Sequence, residues 1–285
     1  MDYSLREARS SDKELLAPWT THTFAWGDYV VDSFDDWLAH PQSRVLVAAS
    51  GTDEPVAVAR GILLSADELW LHGVRVHPDW RRRGIASELG TKLQAWAAGQ
   101  GAKVALLMTE DWNVAAREQV AQVGFRETAT WARAFKTTEH SGRITDERIT
   151  PAEPLLRAGA AESGPAYLAW STGELSRAAR QMMAVSWQWR RLHPIDLERA
   201  AEHGALFAGA TGWAIAAQKD MYLEVGWIQT SRERVPAHLA ALLGVAVAEQ
   251  ATALQIMMPA VDWLVAAATE ADFEIESMIL CEKAL

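Results

Sequence analysis

The stretch VRVHPDWRRRGIASELG, residues 74 to 90, decides how the first half of this chain is read. It passes from a valine-rich strand pattern through His-Pro-Asp, three arginines and a glycine into a helical pattern. A strand that hands over directly to a helix leaves the first backbone N–H groups of that helix without intrahelical partners. An anion satisfies them, and the helix dipole adds favourable charge. In Arg81-x-x-Gly84-x-Ala86 the glycine removes the side chain that would block a close approach, and Ala86 keeps the next contact small. Arginine side chains at 81 to 83 can clamp phosphate oxygens from outside such a cradle. The same spacing also suits a solvated basic loop that caps a helix, because short patterns recur by chance.

Working outward towards the N-terminus, RVLVAA (44 to 49) and PVAVARGILL (55 to 64) are separated by the turn former SGTDE and predict two antiparallel strands. ELWLHGVRV (68 to 76) predicts a third. Strict alternation sets Trp70, His72, Val74 and Val76 on one face, together with Glu68, and Leu69, Leu71, Gly73 and Arg75 on the other. Towards the C-terminus, Ile85, Leu89, Leu93 and Trp96 share a helical stripe that ends at GQG, 99 to 101. A strand from Lys103 to Met108, a helix from near Asn113 to Gly124 and a strand from Arg126 to Phe135 follow. Strands alternating with helices in this order make a mixed α/β domain.

Residues 137 to 165 concentrate charge and turn formers without apolar periodicity, which predicts an interdomain linker. Beyond it the element order repeats. GWAIAAQ and MYLEVGWIQ read as strands, 235 to 250 as a helix, ALQIMM as a buried strand, 261 to 273 as a helix and SMILCEKAL as a closing strand. DELWLHGV matches DMYLEVGW, ALLM matches LQIM and VGF matches ADF, each at a separation of about 150 residues, the pattern of a tandem duplication. The expected domains are therefore 1–136 and 166–285, joined by 137–165. The segment SRAARQMMAVSWQWRRL reads as helix-like, with Met182, Met183, Trp187 and Trp189 as either core or interface.

A chain of 285 residues with 49% hydrophobic and 22% charged residues has material for two ordinary cores and is not a disordered polymer. Its net charge of −10 opposes nonspecific binding to nucleic acid and suits a cationic substrate such as an amine. The single cysteine, Cys281, excludes an internal disulfide and a cysteine-based metal site. No apolar stretch has signal-peptide or membrane-spanning length, so a cytoplasmic protein without membrane partners is expected.

The whole run VRVHPDWRRRGIASEL resembles the acetyl-CoA loop of the GCN5-related N-acetyltransferase (GNAT) family, in which V-x-V-H-P leads into R/Q-x-x-G-x-G/A at the head of a long helix. NVAAREQVAQVGF resembles the family's second signature, an asparagine opening the next helix and G-F closing it, here Asn113, Gly124 and Phe125. The resemblance covers residues 1 to about 136 and implies two tandem acyl-CoA N-acyltransferase-like domains, each with a mixed α/β sheet flanked by helices. It implies that the strands at 68–76 and 103–108 splay apart. Acetyl-CoA is then the cosubstrate, with no metal: its pantothenate arm pairs with the backbone of Val74, Arg75 and Val76, and its pyrophosphate rests on the amides of Arg82, Arg83, Gly84, Ile85, Ala86 and Ser87. Asn113 and Arg117 meet the arm or the nucleotide end.

The reaction implied is direct attack of an amine on the thioester, so alignment does most of the work and two proton transfers remain. In the arylalkylamine-acetylating branch a histidine occupies a place similar to that of His72, which makes it the first candidate base; a hydrogen-bonded core or surface histidine is the alternative. Glu68, through water, is the second candidate base. Glu110 and Asp111 fit helix caps equally well. Many relatives carry a tyrosine as general acid four residues before the glycine of G-F, where this chain has Val120. Family substrate contacts come from the segment between the first two helices, so Trp26, Asp28 and Tyr29 offer an aromatic and acidic mouth for a small-molecule amine, or a simple turn. The second half has TSRERVPAHL in the loop position. Val235 stands where the glycine belongs and Pro236 removes a donor, which predicts a degenerate domain that shapes the site or supports a homodimer. The alternative functions are acetylation of a protein lysine or N-terminus, and non-catalytic acyl-CoA binding.

Overall fold

The computed structural model describes residues 2–21, 23–24, 27–138 and 153–285. The chain divides into two compact units. Unit 1 holds Met1–Thr109, Asn113–Glu127 and Cys281–Leu285, and unit 2 holds Glu110–Trp112 and Thr128–Leu280. Both are mixed α/β, and no helix among the described residues is long and apolar enough to cross a membrane.

Unit 1 runs β1 (Tyr3–Glu7), α1 (Asp12–Thr20), α2 (Val30–Ala39), β2 (Ser43–Ser50), β3 (Pro55–Leu63), β4 (Glu68–Val76), α3 (Ile85–Gly99), β5 (Val104–Glu110) and α4 (Val114–Gln122). The sheet order is β1-β2-β3-β4-β5, antiparallel up to β4 and parallel between β4 and β5. Strand β3 is buried for eight of its nine residues, as expected for a central strand covered on both faces. Over one face Leu16, Val30, Phe34 and Trp37 of α1 and α2 pack on Val45, Val47 and Val58. Helix α3 supplies Ile85, Leu89, Leu93 and Ala97, a buried stripe at helical spacing. Leu93 lies over Gly61, where a Cβ would come 3.3 Å from its Cδ2.

Unit 2 contains β6 (Arg126–Thr137), β7 (Leu156–Arg157), α5 (Ser163–Thr172), α6 (Glu174–Ala178), β8 (Met182–Val185), β9 (Gln188–Arg191), α7 (Pro194–Glu202), β10 (Leu206–Gly209), β11 (Gly212–Lys219), β12 (Tyr222–Gln229), α8 (Val235–Ala248), β13 (Ala253–Pro259), α9 (Asp262–Glu270) and β14 (Glu274–Ala284). Its sheet order is β14-β6-β13-β12-β11-β10-β7, antiparallel between β6 and β13 and from β12 to β7, and parallel between β12 and β13.

The units do not follow the linear halves. Strand β6, read from the sequence as the closing strand of the first half, pairs with β13 from Trp131↔Pro259 to Thr137↔Ala253, while Cys281–Leu285 belong to unit 1 and Leu285 N–H reaches Lys103 O at 2.9 Å. Strand partners are set by side-chain packing that alternation does not encode. The candidate linker 137–165 lies outside the described residues from 139 to 152, and beyond them it carries β7 and the start of α5.

The helix-like segment at 176–192 is corrected. Helix α6 ends at Ala178, positive φ values at Arg180 and Gln181 turn the chain, and Met182–Val185 pairs with Gln188–Arg191 as a hairpin closed by Ser186 and Trp187, also at positive φ. Met182, Met183 and Trp189 are buried at spacings of one and six residues, too few to tell a strand from a helix.

Candidate active site

Strands β4 and β5 pair only over Glu68↔Val104, Leu69↔Ala105 and Trp70↔Leu106, whereas β4 continues to pair with β3 as far as Val76. The parallel strands thus part company after Trp70. Within the continuing β3–β4 ladder, Arg60 faces His72 and Val58 faces Arg75, so Gly73 and Val74 together oppose Ala59. This is a β-bulge, and Gly73 takes the left-handed φ of +66° that it requires.

The bulge overturns one expectation. Alternation set Arg75 on the face opposite His72, but an extra residue shifts the register by one and turns Arg75 to the side of His72. Its guanidinium lies 5.3 Å from the Tyr29 ring centroid, and the Tyr29 and His72 rings stack at 6.5 Å with 9° between planes. A lone glycine inside a strand pattern was the available signal.

Past β4, Pro78–Trp80 form a 3-10 turn whose first N–H groups are capped by His77, and the loop then climbs to Gly84 at φ +77° and helix α3. The first helical hydrogen bond is Glu88 N–H to Gly84 O at 3.0 Å. The amides of residues 82 to 87 have no hydrogen-bond partner among the described residues, and a Cβ on Gly84 would meet no atom within 4 Å. Six consecutive donors around an open glycine fit an anion. The arginines divide their roles. Arg81 Nε donates to Val76 O at 3.2 Å, Arg83 donates to Asp79 O at 2.9 Å and lies over Trp80, and Arg82 is exposed at a left-handed φ of +62°.

The structure brings Asp28, Tyr29, His72 and Arg75 together, with two residues that sequence reasoning missed, Trp37 and Arg60. Trp26 lies outside the described residues. Asp28 is forked by Arg75, with Nε to Oδ2 at 2.5 Å and Nη2 to Oδ1 at 3.1 Å, so its charge is spent within the chain. Burial raises the Tyr29 hydroxyl above its ordinary value, against Arg75 and the Gly73 backbone, which favour the phenolate. His72 is pushed down to about 3, first by burial and then by Arg60 and Arg75. Arg60 Nη1 lies 3.1 Å from His72 Nε2, and because a guanidinium only donates, Nε2 is the acceptor and the ring is neutral. Trp37 packs edge-on to His72 at 5.1 Å, and its ring is where a Cβ on Gly73 would fall. A single arginine inside the apolar run PVAVARGILL was the signal for Arg60.

Glu68 is buried at the paired end of β4 and accepts from Ser65 Oγ at 2.9 Å, four residues before His72. Asn113 caps α4 with its own side chain, Oδ1 accepting from Ala116 N–H at 3.2 Å. Arg117 grips Glu127 through Nε at 2.7 Å and Nη2 at 3.0 Å. Val120, in the position of the family tyrosine, is half-buried.

Unit 2 keeps the same parting and the same bulge. Strands β12 and β13 pair from Tyr222↔Ala253 to Val225↔Ile256 only, and the β11–β12 register slips at Gly226, the partner of Gly73 in the repeat. The loop differs. At the helix cap stands Arg234 with φ −102°, its side chain on Ala210 O, and Val235 is the buried first residue of α8, equivalent to Ile85. The expectation that Val235 replaces the glycine is thus corrected by one position, Arg234 replacing it; Pro236 removes the next donor.

Residues 13–125 match the family model of the acetyltransferase (GNAT) family. They form a GNAT acetyltransferase domain. Solved structures extend the fold along the chain: a GCN5-related N-acetyltransferase from Sphaerobacter thermophilus covers 99% of this chain and 95% of its own, at 14% identity and TM-score 0.64. A putative acetyltransferase from Thermoplasma acidophilum covers 99% and 100%, at 14% identity and TM-score 0.62. A GCN5-related N-acetyltransferase from Kribbella flavida covers 100% and 71%, at 16% identity and TM-score 0.54. No curated protein matches the chain.

Proposed function

We propose that unit 1 transfers acetyl from acetyl-CoA to the amino group of a small amine or amino acid. The observation that carries this reading is the run of unpartnered amides from 82 to 87 around Gly84, directly after a strand that has lost its neighbour. These residues fit the group: the parted edge of β4 at Val74, Arg75 and Val76 offers backbone to a pantetheine arm, and the amides and exposed Arg82 offer donors to a pyrophosphate. Asn113 and Arg117 flank the same opening in the family pattern. Acetyl-CoA supplies the thioester; this chain aligns the acceptor against it.

In the transfer an N–C bond forms as the thioester C–S bond breaks, one proton leaves the amine and one reaches the sulfur. His72, beside the bulge, is better placed to meet the amine than Glu68, which sits where β4 and β5 are still paired. With Nε2 accepting from Arg60 and the ring neutral, His72 carries its proton on Nδ1 and offers the acceptor a donor, so its contribution is orientation and the amine's proton leaves to water. Unit 2, with Arg234, Val235 and Pro236 at the corresponding loop, holds no acetyl-CoA in this reading.

Thiol release from acetyl-CoA across a panel of amines and peptides tests the activity. Gly84→Trp is expected to weaken acetyl-CoA binding by about 100-fold or more, because the indole occupies the anion's place, while the left-handed φ costs the fold only about 1–2 kcal/mol. Unchanged affinity in that variant overturns the cradle.

A further inference from the structure

Arg60 is 6% exposed and sits in the middle of β3. Its Nε donates to Ser43 Oγ at 2.8 Å, its Nη1 to His72 Nε2, and its Cζ lies 5.3 Å from the Trp37 ring centroid. No carboxylate is ion-paired with it among the described residues; Asp36, exposed on α2, acts on it only through space. Nη2 makes no hydrogen bond to a described residue, yet it is absent from the buried unsatisfied atoms, so it touches accessible space.

Taking a guanidinium out of water without a counter-ion is costly, and a hydroxyl, a neutral imidazole and a ring face offset that cost only in part. Among the groups that converge here, Arg75 and Asp28 cancel, His72 is neutral, and Arg60 leaves one positive charge in excess. The whole-chain charge of −10 is therefore not carried into this cluster, which repels a bare ammonium and attracts an anion.

We infer that Arg60 is a carboxylate-binding residue and that the acceptor is an amine bearing a carboxylate, an amino acid in type, held at the open Nη2 edge of Arg60. This rests on the transfer reading above. Arg60 belongs to β3, on the far side of β4 from the parting between β4 and β5, which assigns the carboxylate to the acceptor and not to the acyl group entering that parting. A guanidinium fork with a free Nη2 edge suits a carboxylate geometrically as well as electrically.

The test sets amino acids against their decarboxylated amines and their amides, phenylalanine with phenethylamine and phenylalaninamide among them, with acetyl-CoA as donor. Binding of each to the CoA-loaded protein is measured separately by calorimetry. The carboxylate form is expected to have a kcat/KM higher by about 30-fold or more, the cost of stranding one partner of a buried pair. Arg60→Met is expected to abolish the preference, and Arg60→Lys, which keeps charge but loses the fork, to reduce it; acetyl-CoA affinity serves as the control for folding, and the lysine variant carries the test where the methionine variant does not fold. Equal use of amines and amino acids, or a preference that survives both variants, overturns the inference. A gain with succinyl-CoA and a plain amine that depends on Arg60 overturns it too, by moving the carboxylate to the acyl donor. Arg60-dependent carboxylate binding without any transfer sinks the transferase reading and leaves the anion site standing; neither binding nor transfer sinks both.

Discussion

Gly73 and Gly226 occupy the same bulge in two copies of one architecture, and what covers each of them separates a site from a scaffold. Over Gly73 lies the ring of Trp37, a side chain from α2, with Tyr29, His72, Arg60 and Arg75 around it. Over Gly226 lies main chain: the Ala184 carbonyl occupies the place of a Cβ, and Ser186 N–H donates to Glu224 Oε1 at 2.8 Å. The intervals involved correspond, α1 to β2 in unit 1 and α5 to β10 in unit 2. The first has become a helix presenting polar and aromatic side chains, and the second a hairpin that buries Trp189 against Trp131 at 5.7 Å. Where unit 1 has His72 unit 2 has Val225, fully buried. The fold survives both choices, because it is held by sheet and core, while chemistry needs ligand-accessible polar groups.

The largest expected effect follows from the two loops. Titration with acetyl-CoA should give one site per chain, and Gly84→Trp should remove it with none remaining, because Arg234, Val235 and Pro236 leave unit 2 without a cradle. A second site of comparable affinity would break the comparison outright.

Next in size is the bulge itself. Gly226→Val must displace the Ala184 backbone and with it the hairpin, so a loss of about 3–5 kcal/mol in denaturant unfolding is expected, the range of severe core lesions. Gly73→Ala meets a side chain that can yield, plus a left-handed φ worth about 1–2 kcal/mol, so it should cost stability less and transfer more. Equal stability losses in the two variants would show that Trp37 is as rigid as a backbone.

Histidines sharpen the same contrast through pH. His238 is fully buried, with Thr211 Oγ1 3.1 Å from Nδ1 and no partner on Nε2 among the described residues, and burial pushes it down to about 4. Its folded value lies below the unfolded value near 6.5, so the unfolded state takes the proton first. Stability is intact above about pH 6.5 and is lost as pH falls towards 4, by about 3 kcal/mol at most from this residue. His238→Gln should flatten that part of the acid titration of unfolding. His72, lowered to about 3 and only partly buried, acts with the same sign over pH 6.5 to 3 and more weakly, and kcat/KM should show no inflection from it between pH 5 and 8. An inflection near 6.5 that vanishes in His72→Ala would mean that bound cofactor restores its basicity.

How far these features could be read beforehand depends on their range. The loop of open amides before α3 was legible because a strand, a glycine and a helix start are adjacent in sequence, and the hydrogen bonds they leave open follow from local geometry. The parting of β4 and β5 came only from resemblance. The fate of β6 was illegible, because alternation fixes a strand's faces but not its neighbour. So was the segment 176–192, where spacings of one and six residues between buried side chains suit two periodicities. Arg60 was missed and Arg75 was put on the wrong face, for different reasons: Arg60 was passed over as one charge in an apolar strand, and Arg75 was assigned by an alternation that Gly73 interrupts. In both places the sequence violated its own local pattern, and the violation marked the site.

The smallest effect concerns Arg117, the residue on which family pattern and observed contacts compete. Its exposed pair with Glu127 is worth no more than about 1 kcal/mol, so Arg117→Ala should leave unfolding almost unchanged. If Arg117 also meets the nucleotide end of acetyl-CoA, the KM for acetyl-CoA rises several-fold while kcat holds, and the increase shrinks as salt screens the contact. Glu127→Gln separates the two roles, since it removes this ion pair without removing Arg117. A tighter KM in that variant places Arg117 at the cofactor, and an unchanged KM in both variants confines it to contacts within the chain.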